Sequence, residues 1–174
     1  VFFQQLADDQ DIVFQGDDGS GGVAEYLRID GSNTNMVASK SIVFADSAKA
    51  SFGAAEDLRI VHDGTNSTID NYQGDLLIRQ QVNDKDIIFQ SDNGSGGTAD
   101  YIRLDGSTGN LNLYHYGSLK FNTTATGINV TGNTVISGNL TVNGTTTTIN
   151  TSSLDIEDKN ITLNKGSGDT SSSA

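Results

Sequence analysis

Residues 11–36 read DIVFQGDDGSGGVAEYLRIDGSNTNM, and residues 86–111 read DIIFQSDNGSGGTADYIRLDGSTGNL. The two stretches lie 75 residues apart, and 16 of their 26 positions are identical. Most of the other positions exchange like for like: Val13 for Ile88, Glu25 for Asp100, Leu27 for Ile102, Ile29 for Leu104. Upstream, Gln4-Gln5-Leu6 answers Gln80-Gln81-Val82 with one residue slipped. Repetition at a fixed interval is the mark of structural units set along an axis. Duplicating a segment does not by itself create the single convergent pocket that catalysis needs.

Within each copy the apolar period is two. Leu27 and Ile29 alternate with Tyr26 and Arg28, placing the pairs on opposite faces of a strand. The same pattern predicts strands around Leu58/Ile60, Leu76/Ile78, Ile87/Phe89, Ile102/Leu104, Leu111/Leu113, Leu119/Phe121 and Ile128/Val130. It continues at Leu140/Val142, Leu154/Ile156 and Ile161/Leu163. Asp30-Gly31, Asp63-Gly64, Asp105-Gly106 and Asn143-Gly144 fall between strands, and such pairs favour the positive φ angles of tight hairpins. Helical spacing is nearly absent. Only residues 46–57 (DSAKASFGAAED) are Ala-rich enough to suggest a helix, and Gly53 opposes a long one. The expectation is an all-β chain.

Two or three apolar residues on one face of a short strand cannot close a core within one hairpin. The 75-residue unit is longer than the coils of single-chain solenoids, which repeat at roughly 20 to 50 residues. The expected architecture is therefore an elongated, fibrous homotrimer of short strands and hairpins around a common axis, resembling a β-prism or triple β-helix. The number three comes from analogy with known fibres. A first unit is expected over residues 1–85 and a second copy over 86–122. A Gly/Thr/Asn-rich module follows at 123–166, where Gly132, Gly138 and Gly144 are spaced six apart as in shallow β-helices or runs of small hairpins. Residues 167–174 read as a flexible or cut end, and the start at Val1-Phe2-Phe3 reads as a piece of a longer chain.

Composition sets further bounds. Leu, Ile, Val and Phe number 43, about a quarter of the chain, above the level of disordered chains but thin for a self-contained globule. Gly, Ser, Thr and Asn number 72, the residues of turns and exposed strands. The absence of cysteine rules out disulfides and thiolate metal sites and leaves the redox compartment open. No run of about 18 apolar residues is present, and the start lacks a basic segment leading into an apolar one. Neither membrane insertion nor a leader is expected. The net charge of −12 disfavours nucleic acid and anionic lipid as partners and keeps a long assembly soluble.

Two groups of phrases carry a family resemblance. Residues 58–67 (LRIVHDGTNS) followed by 74–78 (GDLLI) resemble a repeat of tail-fibre and other virion structural proteins of marine phages, notably those infecting cyanobacteria. Residues 139–150 (NLTVNGTTTTIN) followed by 154–161 (LDIEDKNI) resemble a module of the same fibres. Together they span most of residues 57–166. The resemblance implies an extracellular, β-rich, trimeric shaft in a virion tail appendage, joined to other tail or baseplate proteins. Its task is host attachment, with contact to a host surface glycan or receptor made by a distal tip that is not visible here.

The candidate sites are few, and each has a plainer structural reading. Residues 16–22 (GDDGSGG) and 91–97 (SDNGSGG) cluster oxygens as a Ca²⁺ loop does, but Asn93 replaces Asp18, and no bidentate Glu follows at the required spacing. A flexible surface loop between strands is the plainer reading of both. His62 and His115 are the only histidines, and either one repeated around a threefold axis is a metal candidate. A hydrogen-bonding role at a strand end is the simpler reading. Tyr26, Tyr72, Tyr101, Tyr114 and Tyr116 can form either a sugar-stacking surface or ordinary cross-strand pairs. The neighbouring carboxylates Asp8/Asp9, Asp17/Asp18 and Glu157/Asp158 point to opposite faces of a strand, so they do not form a catalytic pair. No nucleophile elbow or phosphate loop has the strand–turn–helix context it needs. No catalytic residue, metal or cofactor is assigned. The expected function is a rigid shaft presenting a receptor-binding tip. The alternatives are a glycan-degrading or glycan-binding tailspike, whose site would form between chains, and a cellular adhesin or extracellular filament.

Overall fold

The computed structural model describes residues 2–144 and 147–157. Among these the chain is all-β, with no helix. Its strands form three antiparallel sheets. The chain divides into two compact units, the first ending at Arg79 and the second beginning at Gln80. Residues 161–163, an expected strand, lie outside the described residues, as do Asp158 and residues 167–174.

The first unit opens with β1 (Ile12–Asp17), β2 (Val23–Asp30) and β3 (Asn35–Ala38), joined in that order as one sheet. Ile12 pairs with Ile29, and Phe14 with Leu27; on β2's other side Ile29 pairs with Met36, and Leu27 with Ala38. Cross-strand partners share a face, so these six side chains make one apolar surface. A second sheet of the same unit contains β4 (Lys49–Phe52), β5 (Leu58–His62) and β6 (Ser67–Asn71). Its apolar face carries Ala50, Phe52, Leu58, Ile60 and Ile69. The stretch with helical composition thus forms a strand. Asp46-Ser47 and residues 54–56 fold as turns on either side of it, Ser47 and Glu56 at positive φ.

The second unit holds one five-stranded sheet: β7 (Ile87–Asp92), β8 (Thr98–Leu104), β9 (Leu111–His115), β10 (Ser118–Thr124) and β11 (Gly127–Val130). The ladder of β7 and β8 matches that of β1 and β2 pair for pair at an offset of 75. Both ladders break at the same point, between Phe14 and Gln15 and between Phe89 and Gln90. The extra residue opposite each break is a tyrosine, Tyr26 or Tyr101.

This bulge changes the faces expected from simple alternation. Glu25 pairs with Gln15 and Leu27 with Phe14, so Glu25 and Leu27, two apart in sequence, face opposite ways. Tyr26 does not share the outer face with Arg28; its ring covers Gly16, where an added Cβ would stand 3.3 Å from the ring. A second bulge in β10 pairs Leu119 with Tyr114 but Phe121 with Leu113. Leu119 and Phe121, expected on one face, therefore lie on opposite ones.

Further corrections concern the connections. The upstream echo carries no slip: Ala7 N–H donates to Gln5 Oε1 at 2.9 Å, and Val82 N–H to Gln80 Oε1 at 2.9 Å. These pairs, and the positive-φ residues Asp9 and Asp84, keep the offset of 75. Gly31 and Gly106 are not at positive φ; Thr34 and Gly109 supply that angle in their loops. Glycine is needed for close approach instead, because a Cβ would lie 2.4 Å from the Gln10 carbonyl oxygen and 2.2 Å from that of Lys85. The alternating stretches around Leu76/Ile78, Leu140/Val142 and Leu154/Ile156 are not strands, and none follows Val130 among the described residues. Each of those stretches has the period of a strand but no ladder partner.

Candidate functional site

The surface to be explained is apolar. No hydrophobic side chain among the described residues is buried, and the two buried side chains are polar, Asp30 and Asn112. Each sheet is a single layer whose apolar face stays partly open to solvent. In the first sheet Phe14 is 45% exposed and Met36 68%. In the five-stranded sheet Phe89 is 46% exposed and Leu104 44%. Full burial of a side chain of this size contributes about 1.5–3 kcal/mol, so each face leaves a large part of its stabilisation unused.

The opposite faces are built around ion clusters. Arg28 lies 3.2 Å from Asp30, 3.8 Å from Asp11 and 3.9 Å from Glu25. Arg103 repeats the arrangement with Asp86 at 3.5 Å and Asp100 in direct contact. In a regular strand, residues three apart point to opposite faces; the bulge is what lets Glu25 meet Arg28 and Asp100 meet Arg103. Hydrogen bonds from Gln90 and Arg103 lower the Asp100 carboxyl below its usual range. The Asp30 carboxyl falls to about 2, chiefly through the Asn33 N–H, then Ser32 and the Asn33 amide. The clusters fix the strands and their turns. They were not singled out in the sequence, although the paired arginines and carboxylates at equal offsets signalled them.

The two acidic loops are turns built on side-chain acceptors. Asp18 Oδ1 accepts hydrogen bonds from Ser20 N–H at 2.7 Å, Ser20 Oγ at 2.8 Å and Gly22 N–H at 3.0 Å. These bonds, the Ser20 N–H first, lower its pKa. In the second loop the Asn93 amide oxygen accepts from Ser95 N–H at 2.8 Å and Gly97 N–H at 3.1 Å. A neutral amide does the carboxylate's work here, so the position calls for an acceptor and not for a charge. Asp63 and Asp105 cap their own hairpin loops in the same way, each with a lowered pKa.

Most of the remaining candidates have partners. His62 Nδ1 lies 3.1 Å from Ser67 Oγ at the mouth of the β5–β6 hairpin. His115 stands at the end of β9, edge-on to the Tyr116 ring at 4.7 Å. Among the described residues no three His, Cys, Asp or Glu side chains converge as metal ligands. Tyr26 and Tyr101 donate to the carbonyls of Asp17 and Asp92 at 2.7 and 2.8 Å, and Tyr72 lies beneath the Arg59 guanidinium at 4.4 Å. Tyr116 packs edge-on against Tyr101 at 6.0 Å. An open cleft of about 330 Å³ lies at one end of the five-stranded sheet, with Ile87, Leu104 and Leu111 as its apolar floor and Lys85, Asp105 and Asn110 on its rim. It continues the uncovered apolar face. Asp105, its one carboxylate, is already committed to the Ser107 hydroxyl and the Thr108 N–H. Compared with family models, with curated proteins and with solved structures, the chain finds no match.

Proposed function

We propose that this chain is a structural segment of a phage tail fibre: a homotrimeric, elongated shaft, with strands of three copies grouped around one axis, that presents a distal receptor-binding tip during adsorption. The observation that carries this reading is that no apolar side chain among the described residues is buried, in sheets that each have one apolar face. Such faces are expected to be covered by something, and three copies of the same chain can cover one another's. The ion clusters and polar turns stay outside, where the net charge of −12 per chain favours solubility. The resemblance of residues 58–67 with 74–78, and of 139–150 with 154–161, to marine-phage fibre repeats supports a shaft in an extracellular virion appendage, among other tail or baseplate proteins. No chemistry is assigned to it.

Native mass spectrometry tests the assembly. A species of three chains is expected; a compact, cooperatively melting monomer near 18.3 kDa overturns the reading. A tailspike that cleaves glycan between chains is distinguished by release of reducing sugar from host surface polysaccharide. A cellular adhesin is distinguished by its absence from purified virions.

A further inference from the structure

We propose that residues 41–44 (SIVF) of one copy add as a strand to the open edge of β3 in a neighbouring copy. The exchange rests on the shared-core reading above and specifies one of its contacts. Residues 35–44 (NMVASKSIVF) correspond to residues 110–121 (NLNLYHYGSLKF), with Ser41-Ile42-Val43-Phe44 answering Ser118-Leu119-Lys120-Phe121. The second copy folds this segment back: β10 pairs with β9, His115 opposite Ser118 and Leu113 opposite Phe121. Its hairpin turns on Tyr116 and Gly117, whose φ angles of 49° and 78° are both positive, as a two-residue turn of this hand requires.

The first copy lacks those two residues. Ser39 and Lys40 directly precede Ser41, neither has positive φ, and the Ser39 N–H is held by the Tyr26 carbonyl at 3.0 Å. The chain bends away, and β3 is left as the edge of its sheet. Residues 41–44 make no backbone hydrogen bond among the described residues. Ile42 is 65% exposed and Val43 88%. Phe44, 53% exposed, lines an open cleft with Ala50, Ile60 and His62.

A β-forming segment without a partner and an edge whose counterpart is filled in the other copy are thus present in one unit. The missing turn keeps them from meeting within a chain. Shortening a hinge in this way favours exchange between copies. The occupant is a second copy of this chain, because in the second unit the corresponding segment fits the corresponding edge, β10 on β9.

The absence of cysteine makes the register testable. Ala38 and Phe44 hold the places of the paired Leu113 and Phe121, so the double variant Ala38→Cys/Phe44→Cys is oxidised and run on a denaturing, non-reducing gel. Disulfide-linked chains of two or three copies are expected, with neither single variant giving more than a minor linked band. A disulfide closed within one chain, or none in an assembled sample, overturns the exchange and leaves the shared core standing. A monomeric wild-type chain in native mass spectrometry overturns both. An Asn-Gly pair inserted between Lys40 and Ser41 restores the turn length, and in that background the disulfide is expected to move inside one chain. Persistence of the linked species there counts against the proposal.

Discussion

The sheets that open the two units share a ladder, a bulge, an arginine cluster and a capped loop, yet they end differently. After β9 the second copy turns on Tyr116-Gly117 and adds β10 and β11; after β3 the first copy adds nothing. At the point where the second copy has a two-residue turn, the first has none. The strand-forming pattern is present in both copies, so pattern alone does not decide whether a strand forms. Turn chemistry decides whether a partner is within reach. Both copies nevertheless leave their apolar faces uncovered, so widening the sheet does not build a core.

The strongest way to break the comparison is a charge on those faces. Leu27→Asp and Ile102→Asp occupy equivalent positions on the two sheets, and each is expected to abolish assembly in analytical ultracentrifugation. An unchanged sedimentation coefficient for either variant would show that its face is not shared. Next come the glycines. Gly31→Ala and Gly106→Ala push a Cβ into the backbone carbonyls of Gln10 and Lys85, and each is expected to cost about 1–3 kcal/mol in denaturant unfolding, as overpacking does. Sensitivity in one copy only would end the equivalence of the two loops. Tyr26→Phe and Tyr101→Phe remove the hydroxyl bonds to Asp17 and Asp92, with an expected loss of about 1 kcal/mol each.

Acid gives the smallest and most discriminating effect. The Asp30 carboxyl, held at about 2 against an ordinary 3.8, and those of Asp18, Asp63, Asp100 and Asp105, shifted the same way, are lower in the fold than in the unfolded chain. Their contribution is complete above the unfolded value and is lost as pH falls through the folded one. Melting temperature is expected to hold from pH 7 down to roughly 4 and then to fall towards pH 2. Asp18→Asn should leave the pH 7 melt unchanged and reduce the acid loss, because Asn93 already serves in the sister loop. Asn93→Asp should increase that loss. A pH 7 penalty of several degrees for either swap would mean that the charge matters for more than acceptance of hydrogen bonds.

Much of this was legible in the sequence. Alternation at Leu27/Ile29, Leu58/Ile60 and Ile102/Leu104 located strands, and the 75-residue echo anticipated two sheets of one register. The bulges were not legible, since an extra residue leaves the local pattern intact while turning Tyr26 and Leu119 to the other face. Leu76/Ile78 and Leu140/Val142 read as strands because they alternate, yet neither has a ladder partner. Periodicity reports a side chain's preference for a half-buried ladder and says nothing of whether a neighbouring strand exists. The roles of Asp18 and Asn93 became clear only from their hydrogen bonds, because calcium loops and tight turns draw on the same residues. Gly31 and Gly106 were read as turn residues, but for an angle they do not adopt.

The bulges at Tyr26 in β2 and Tyr101 in β8 also limit growth. Each bends and twists its sheet midway along the neighbouring free rim strand, β1 or β7, so a stranger laid flat alongside stays in step for only a few residues. Pairing along that rim is thereby disfavoured, which works against templating of endless ribbons there.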